Sequence, residues 1–238
     1  MTKAILRVSA WALALVNFWV FSRFSVDDAF ITWRYGRNLV EHGVWNYNPS
    51  SFDPTQAYTN PIFALLSVIP AFFGFNVVLF FKLLSLLALV AFIVFFLRRR
   101  PEANLSLALF FAVPATVIHV FSGLETFLFV ALLFLLLLAI KNDEGRLAVA
   151  VTSVLLITRP ESILLLALVP LFLCVRYDNR RLLINWKRLV RISGTLLAIA
   201  GFIFVLNALV FGEALPNTFF VKTGQYFFNG SFFQWLLV

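Results

Sequence analysis

Val77-Val78-Leu79-Phe80-Phe81-Lys82-Leu83-Leu84-Ser85-Leu86-Leu87-Ala88-Leu89-Val90-Ala91-Phe92-Ile93-Val94-Phe95-Phe96-Leu97, followed at once by Arg98-Arg99-Arg100, decides what kind of molecule this is. Residues 77–97 supply the run of about 20 apolar residues that crosses a bilayer as one helix, and three consecutive arginines belong on the cytoplasmic side of such a helix. Runs of the same kind occupy residues 5–22, 104–121 and 189–211. Residues 126–140, 147–157 and 162–175 are apolar but shorter, so each must be lengthened by its flanks or bent, with its polar flanks buried in protein. The whole chain is 62% hydrophobic and 13% charged with a mean hydropathy of +0.94, which places it in the membrane class.

The arginine triplet also sets the topology. The apolar run at 62–73, between Pro61 and Gly74, is either a span or a helix lying on the surface. If it spanned, Arg98, Arg99 and Arg100 would face outward, against the positive-inside tendency. Taken as interfacial, it leaves the other runs as spans one to seven in order. The cytoplasmic side then collects Lys3, Arg7, Arg98, Arg99, Arg100, Lys141, Arg146, Arg176, Arg180, Arg181, Lys187, Arg188 and Arg191. The outer side keeps Arg23, Arg34, Arg37, Arg159 and Lys222 with most of the acids, and Lys82 is left inside a span.

The expected fold is therefore all-α: a polytopic transmembrane bundle of about seven spans, one module over residues 1–238, with two interfacial helices in the outer loop 23–76. Lys3 and Arg7 before residues 5–22 imitate a signal peptide, but Val20-Phe21-Ser22-Arg23-Phe24 lacks the small-residue cleavage pattern, so the segment reads as a retained helix. The net charge of +8 serves orientation rather than nucleic acid, and a single Cys174 in an apolar run offers neither a disulfide nor a metal cluster.

On this parity the polar groups that interrupt apolar sequence fall at one face. Asp27-Asp28, Glu125, Arg159 with Glu161, and Lys222 are all outward, and ionisable residues at membrane depth usually line a cavity or pathway. After Asp28, the residues Ile31, Tyr35 and Leu39 recur every four positions up to Gly43, the pattern of an amphipathic surface helix with Ile31, Tyr35 and Leu39 as its apolar face. The paired carboxylates stand at its N-terminus, where the dipole favours the ionised form. One of them could simply cap the helix. An ionised Asp can also accept a hydroxyl proton or hold a divalent cation.

Trp45-Asn46-Tyr47-Asn48-Pro49 and Tyr58-Thr59-Asn60-Pro61 are loops whose aromatics and amides suit sugar rings, although such aromatics also anchor proteins at the interface. Ser122-Gly123-Leu124-Glu125-Thr126 and Thr158-Arg159-Pro160-Glu161-Ser162 break the apolar sequence. Arg159 could pair with Glu161 or Glu125 and hold helices together, or clamp a phosphate through its planar fork. Lys222 could meet the same anion. His42 and His119 have no partner at metal-ligand spacing, and no Gly-rich phosphate loop, nucleophile elbow or internal repeat appears.

Asp27-Asp28-Ala29-Phe30-Ile31 with Arg34-Tyr35 and Arg37-Asn38, then Asn48-Pro49, Tyr58-Thr59-Asn60-Pro61, Ser122-Gly123-Leu124-Glu125-Thr126, Thr158-Arg159-Pro160-Glu161 and Leu215-Pro216-Asn217-Thr218, taken in that order, resemble the GT-C superfamily of polytopic glycosyltransferases. The nearest branch is the mycobacterial arabinofuranosyltransferase B type. The resemblance implies transfer of a sugar from a polyprenyl-phosphate donor to a glycan, lipid or protein acceptor, with inversion, at the non-cytoplasmic face of a bacterial inner membrane. It implies Asp27 or Asp28 as general base, Arg159 and Lys222 on the departing phosphate, and Arg34, Tyr58, Asn60, Glu125, Glu161 and Asn217 as substrate contacts. No cofactor is implied, with a divalent cation left open. Where the family often has an acidic residue and a glycine, this chain has Gln56-Ala57. Related proteins run to about twice this length, so the resemblance covers their N-terminal part. Two other readings compete: a transporter, which would place charges at the midplane and often show inverted repeats, and a non-catalytic membrane subunit or fragment.

Overall fold

The computed structural model describes residues 2–50, 55–178 and 181–211. Helices make up 80% of it, so the helical class stands. In chain order the helices are α1 (Thr2–Phe21), α2 (Asp27–His42), α3 (Pro61–Leu66), α4 (Val68–Phe73), α5 (Val77–Arg99), α6 (Asn104–Ala112), α7 (Pro114–Phe121), α8 (Thr126–Lys141), α9 (Gly145–Leu156), α10 (Leu165–Cys174) and α11 (Trp186–Phe211). Short 3₁₀ turns at Pro101–Ala103 and Pro160–Leu164 lead into α6 and α10. An element absent from the all-α expectation is a small antiparallel hairpin, β1 (Val175–Asp178) with β2 (Arg181–Ile184), in which Val175 opposes Ile184.

α1, α5 and α11 are each long and apolar enough to cross a membrane. Their outward surfaces fit lipid and not water: Val8, Trp19, Leu87 and Leu209 are among many large apolar side chains more than 60% exposed. A soluble monomer rarely shows contiguous apolar surface on that scale. The chain is built as a membrane protein.

Residues 104–121, expected to run as one span, instead form a broken pair, α6 and α7, bent by 79° at Val113. Pro114 causes the break, because it lacks an N–H and its ring collides with the carbonyl four residues back. The carbonyls freed by the bend sit among apolar neighbours and need donors. Asn17 of α1 supplies them, donating from Nδ2 to the Ala112 carbonyl at 2.8 Å and to that of Phe111 at 3.5 Å. Phe18, Phe111, Phe121, Phe127 and Phe92 pack around this junction and join α1, α5, α6, α7 and α8. A second core, with Leu136, Leu155, Val169 and Leu196, joins α8 to α11.

The surface helix predicted after Asp28 is α2, and it stops where the sequence says it should. Gly43 adopts φ 69°, in the left-handed region that closes a helix cheaply only for glycine, and its N–H reaches the Leu39 carbonyl at 3.0 Å. Its buried face differs from the expectation. Ala29, Thr32, Trp33, Tyr35, Gly36 and Asn38 are buried, while Leu39 is exposed and Ile31 only half-buried. The reason is close packing against the α3–α4 pair, into which the apolar run 62–73 divides at Ser67. Gly36 donates its N–H to Ser67 Oγ at 3.1 Å, and a Cβ at position 36 would lie 2.4 Å from the Ser67 carbonyl carbon and 2.5 Å from the Val68 nitrogen. Those are backbone atoms and cannot swing aside. Gly36→Ala is therefore expected to cost about 2 kcal/mol by overpacking, read as a lower unfolding midpoint in detergent; an unchanged midpoint would show that α2 does not seat on Ser67.

At the far end of the bundle from α2, the charged loops close on one another. Asp143, with φ 59°, takes Arg188 at 2.6 Å and Arg176 at 3.0 Å, and Glu144 faces Arg99 at 3.8 Å. These residues come from α5, α11, β1 and the α8–α9 turn, which therefore share one end of the bundle. Exposed pairs of this kind contribute little stability. Their value is as markers of which loops share an end.

Candidate functional site

α2 begins with Val26 as its N-cap, so Asp27 and Asp28 are the first two helical residues and neither is the cap. Asp27 Oδ1 accepts the Asp28 N–H at 3.0 Å. The Asp28 carboxylate makes no hydrogen bond or ion pair among the described residues, and both side chains are exposed. Capping thus leaves Asp28 unexplained.

The segment leading into the doublet is held from two directions. The Val26 N–H donates to the Ser122 carbonyl at 2.9 Å, which joins α2 to the Ser122-Gly123-Leu124-Glu125 turn. Gly123 is required there: its φ is 83°, and a Cβ would stand 2.7 Å from the Trp33 ring. Lys82, which the sequence left without a role inside α5, donates from Nζ to the Ser22 and Phe24 carbonyls at 2.6 and 2.7 Å.

Three sequence-predicted site residues meet directly. Glu125, with 7% of its side chain exposed, accepts the Asn60 Nδ2–H at 2.9 Å on one oxygen and the Arg159 Nε–H at 2.8 Å on the other. Arg159 also donates from Nη2 to Thr126 Oγ1 at 2.8 Å and lies over the Phe129 ring at 5.5 Å. Its Nη1 makes no hydrogen bond among the described residues, and 29% of the side chain is exposed. Of the two partners considered for Arg159, the ion pair forms with Glu125. Glu161 is exposed and outside the cluster.

Local structure explains why these side chains converge. Asn60 caps α3, its Oδ1 accepting the Phe63 N–H at 3.2 Å, which fixes its amide toward Glu125. Pro160 ends α9, and the backbone groups it disturbs find partners within the protein. Thr158 Oγ1 donates to the Val154 carbonyl at 2.7 Å, and Ser162 Oγ donates to that of Leu155 at 2.8 Å. Arg159 is thereby held in extended conformation at the helix end.

Arg34 and Tyr58 have other surroundings. Arg34 stacks its guanidinium over the Tyr47 ring at 4.7 Å. It lines an open groove of about 810 Å³ between α2 and α4, together with Asp27, Phe30, Arg37 and Phe75. Tyr58 is buried edge-on against Tyr35, 4.6 Å between centroids, with its hydroxyl accepting the Trp45 Nε1–H at 3.1 Å. Burial pushes the Tyr58 hydroxyl above its ordinary pKa. Burial likewise pushes Tyr35 to about 12, against the opposing Ala57 N–H that donates to its oxygen. Tyr58 and Tyr35 are neutral packing groups that pin Trp45, Tyr47 and Ala57 to α2, and Phe211 at the end of α11 closes the same cluster. Gln56, where the resembled family often has a glycine or acid nearby, is buried with its Oε1 unpartnered among the described residues.

Asn217 and Lys222 lie outside the described residues. Among the described residues no group of three or more His, Cys, Asp or Glu side chains comes together. Compared with known protein families, curated proteins and solved structures, the chain matches none.

Proposed function

We propose that the chain is a multi-pass membrane glycosyltransferase of GT-C type, working at the outer face of a bacterial inner membrane with about seven crossings. The observation that carries this reading is the joining of Asn60, Glu125 and Arg159, from three distant segments, to the exposed Asp27-Asp28 doublet through the Val26–Ser122 hydrogen bond. Charge is scarce in this chain, and at this end it includes the Asp28 carboxylate, which has no partner among the described residues.

In the reaction, Asp27 or Asp28 takes the proton of an acceptor hydroxyl as its oxygen attacks the anomeric carbon of the donor sugar. The bond from that carbon to the polyprenyl-phosphate oxygen breaks, and the phosphate leaves with the electron pair. Proton removal is needed only as the leaving bond stretches, so a carboxylate of ordinary basicity suffices. Glu125 and Thr126 hold two nitrogens of the Arg159 fork, leaving Nη1 to take the growing phosphate charge through a charge-assisted bond. Lys222 joins it in this reading, and Arg34, which lines the same groove as Asp27, borders the acceptor side.

One observation favours a second reading. Glu125 and Arg159 neutralise each other, as a purely structural pair would, and a non-catalytic membrane subunit needs no more. Assaying transfer from a polyprenyl-phosphate sugar in membranes, for the parent chain and for Asp27→Asn and Asp28→Asn, separates the two. The enzyme reading expects transfer that one of the substitutions stops; transfer by neither parent nor variants, or equally by all three, removes it.

A further inference from the structure

We propose that Lys82 is a positioning residue, whose ammonium group sets where the Asp27 and Asp28 carboxylates stand by holding the backbone that leads into α2. The consequence for chemistry rests on the glycosyltransferase reading; the positional part does not.

Lys82 lies one and a half turns into α5, about 8 Å along the helix from Val77. A cation inside so apolar a helix is costly unless it finds partners. No carboxylate pairs with it among the described residues. Both of its hydrogen bonds go instead to one short linker, to the carbonyls of Ser22 and Phe24 just beyond the last residue of α1, where the negative end of that helix dipole also favours a cation. Three residues after Phe24 comes Asp27.

The same turn of α5 grips α2 itself, since Phe81 stacks on Trp33 at 5.0 Å with the rings 12° from parallel. Separately, the Ser122 carbonyl holds the Val26 N–H. The linker is thus fixed between a cation from α5 and a carbonyl from the turn that carries Glu125. Removing the cation frees the first of these two holds and leaves the second, so the doublet is expected to shift relative to Glu125 and Arg159 while the bundle stays assembled.

The test uses the full chain in detergent micelles with Cys174→Ser and Asp28→Cys, so that one thiol reports on position 28. Its rate of maleimide labelling is compared with and without Lys82→Met. A second pair of measurements, in the chain retaining Asp28, reads kcat and KM for transfer from a polyprenyl-phosphate sugar. The expected results are a labelling rate changed about fivefold as the local hold is released, and kcat lowered about tenfold to a hundredfold by misplacement with KM little altered. Lys82→Arg, which retains a cationic donor, should restore both substantially.

Should Lys82→Met not accumulate, Lys82→Gln keeps a donor without the charge and carries the same readouts. An unchanged labelling rate overturns the proposal. A changed rate with unaltered kcat overturns the link to chemistry. A changed rate in a parent chain that transfers no sugar supports the positioning role and overturns the glycosyltransferase reading instead.

Discussion

Substituting Asn for the aspartate that acts as base is expected to slow sugar transfer by about 10²–10⁴-fold, the usual contribution of a positioned proton acceptor. The effect should fall on kcat and kcat/KM alike, because the carboxylate acts as the acceptor proton moves and not in holding the resting substrate. Asn keeps the size and the hydrogen-bonding reach of Asp, and both positions are exposed at the start of α2, so neither variant should disturb the bundle. The two positions are not equivalent. Asp27 already accepts the Asp28 N–H, whereas the Asp28 carboxylate is unengaged among the described residues. A steady-state assay in membranes, with protein amount fixed by immunoblot, distinguishes a lost base from lost protein. Equal rates for both variants and the parent would remove the base assignment.

The second large effect is on stability. Arg159→Met removes the cationic partner of a carboxylate that is 7% exposed, leaving Glu125 with Asn60 alone. Stranding a buried charge typically costs about 3–5 kcal/mol, and the lower part of that range applies here because Arg159 is itself partly exposed. Glu125→Gln should cost less, about 1 kcal/mol, since its single amide oxygen can keep the buried Asn60 donor while the partly exposed Arg159 guanidinium turns to water. Combining the two should recover most of the Arg159→Met loss, because the stranded charge is gone. Unfolding midpoints in detergent for the two single variants and the double variant close this cycle. Strict additivity would mean that the ion pair does not couple the two breaks in the apolar sequence.

What could be read from sequence differed from element to element for physical reasons. The bounds of α2 were visible because acids at a helix start and a glycine at its end are local signals. Its buried face was not, because close packing around Gly36 and Ala29 turns Trp33 and Tyr35 inward and leaves Phe30 and Leu39 exposed, a choice set by neighbouring elements and not by the spacing of apolar residues. Gly36 against Ser67 is a tertiary fact with no sequence pattern. Pro114 was in plain view, but hydropathy over 104–121 is as high in a bent pair as in a straight span. The meeting of Glu125 and Arg159 was legible as one of two possible pairings. The anchoring of Lys82 on the α1–α2 linker was not, because its partners are backbone carbonyls that any residues could provide. The β1–β2 hairpin lies in a charged connection where neither helical nor strand period is long enough to declare itself.

The central claim is that the Asp27-Asp28 doublet and the Thr158-Arg159-Pro160-Glu161 corner lie on one face of the membrane, opposite the arginine-rich loops. Single cysteines replacing Asp28, Glu161 or Arg146, in a Cys174→Ser background, can be labelled in intact cells with a membrane-impermeant maleimide. Positions 28 and 161 are expected to label from outside, and position 146 only after permeabilisation. Labelling of 28 and 161 from opposite sides would contradict the claim outright.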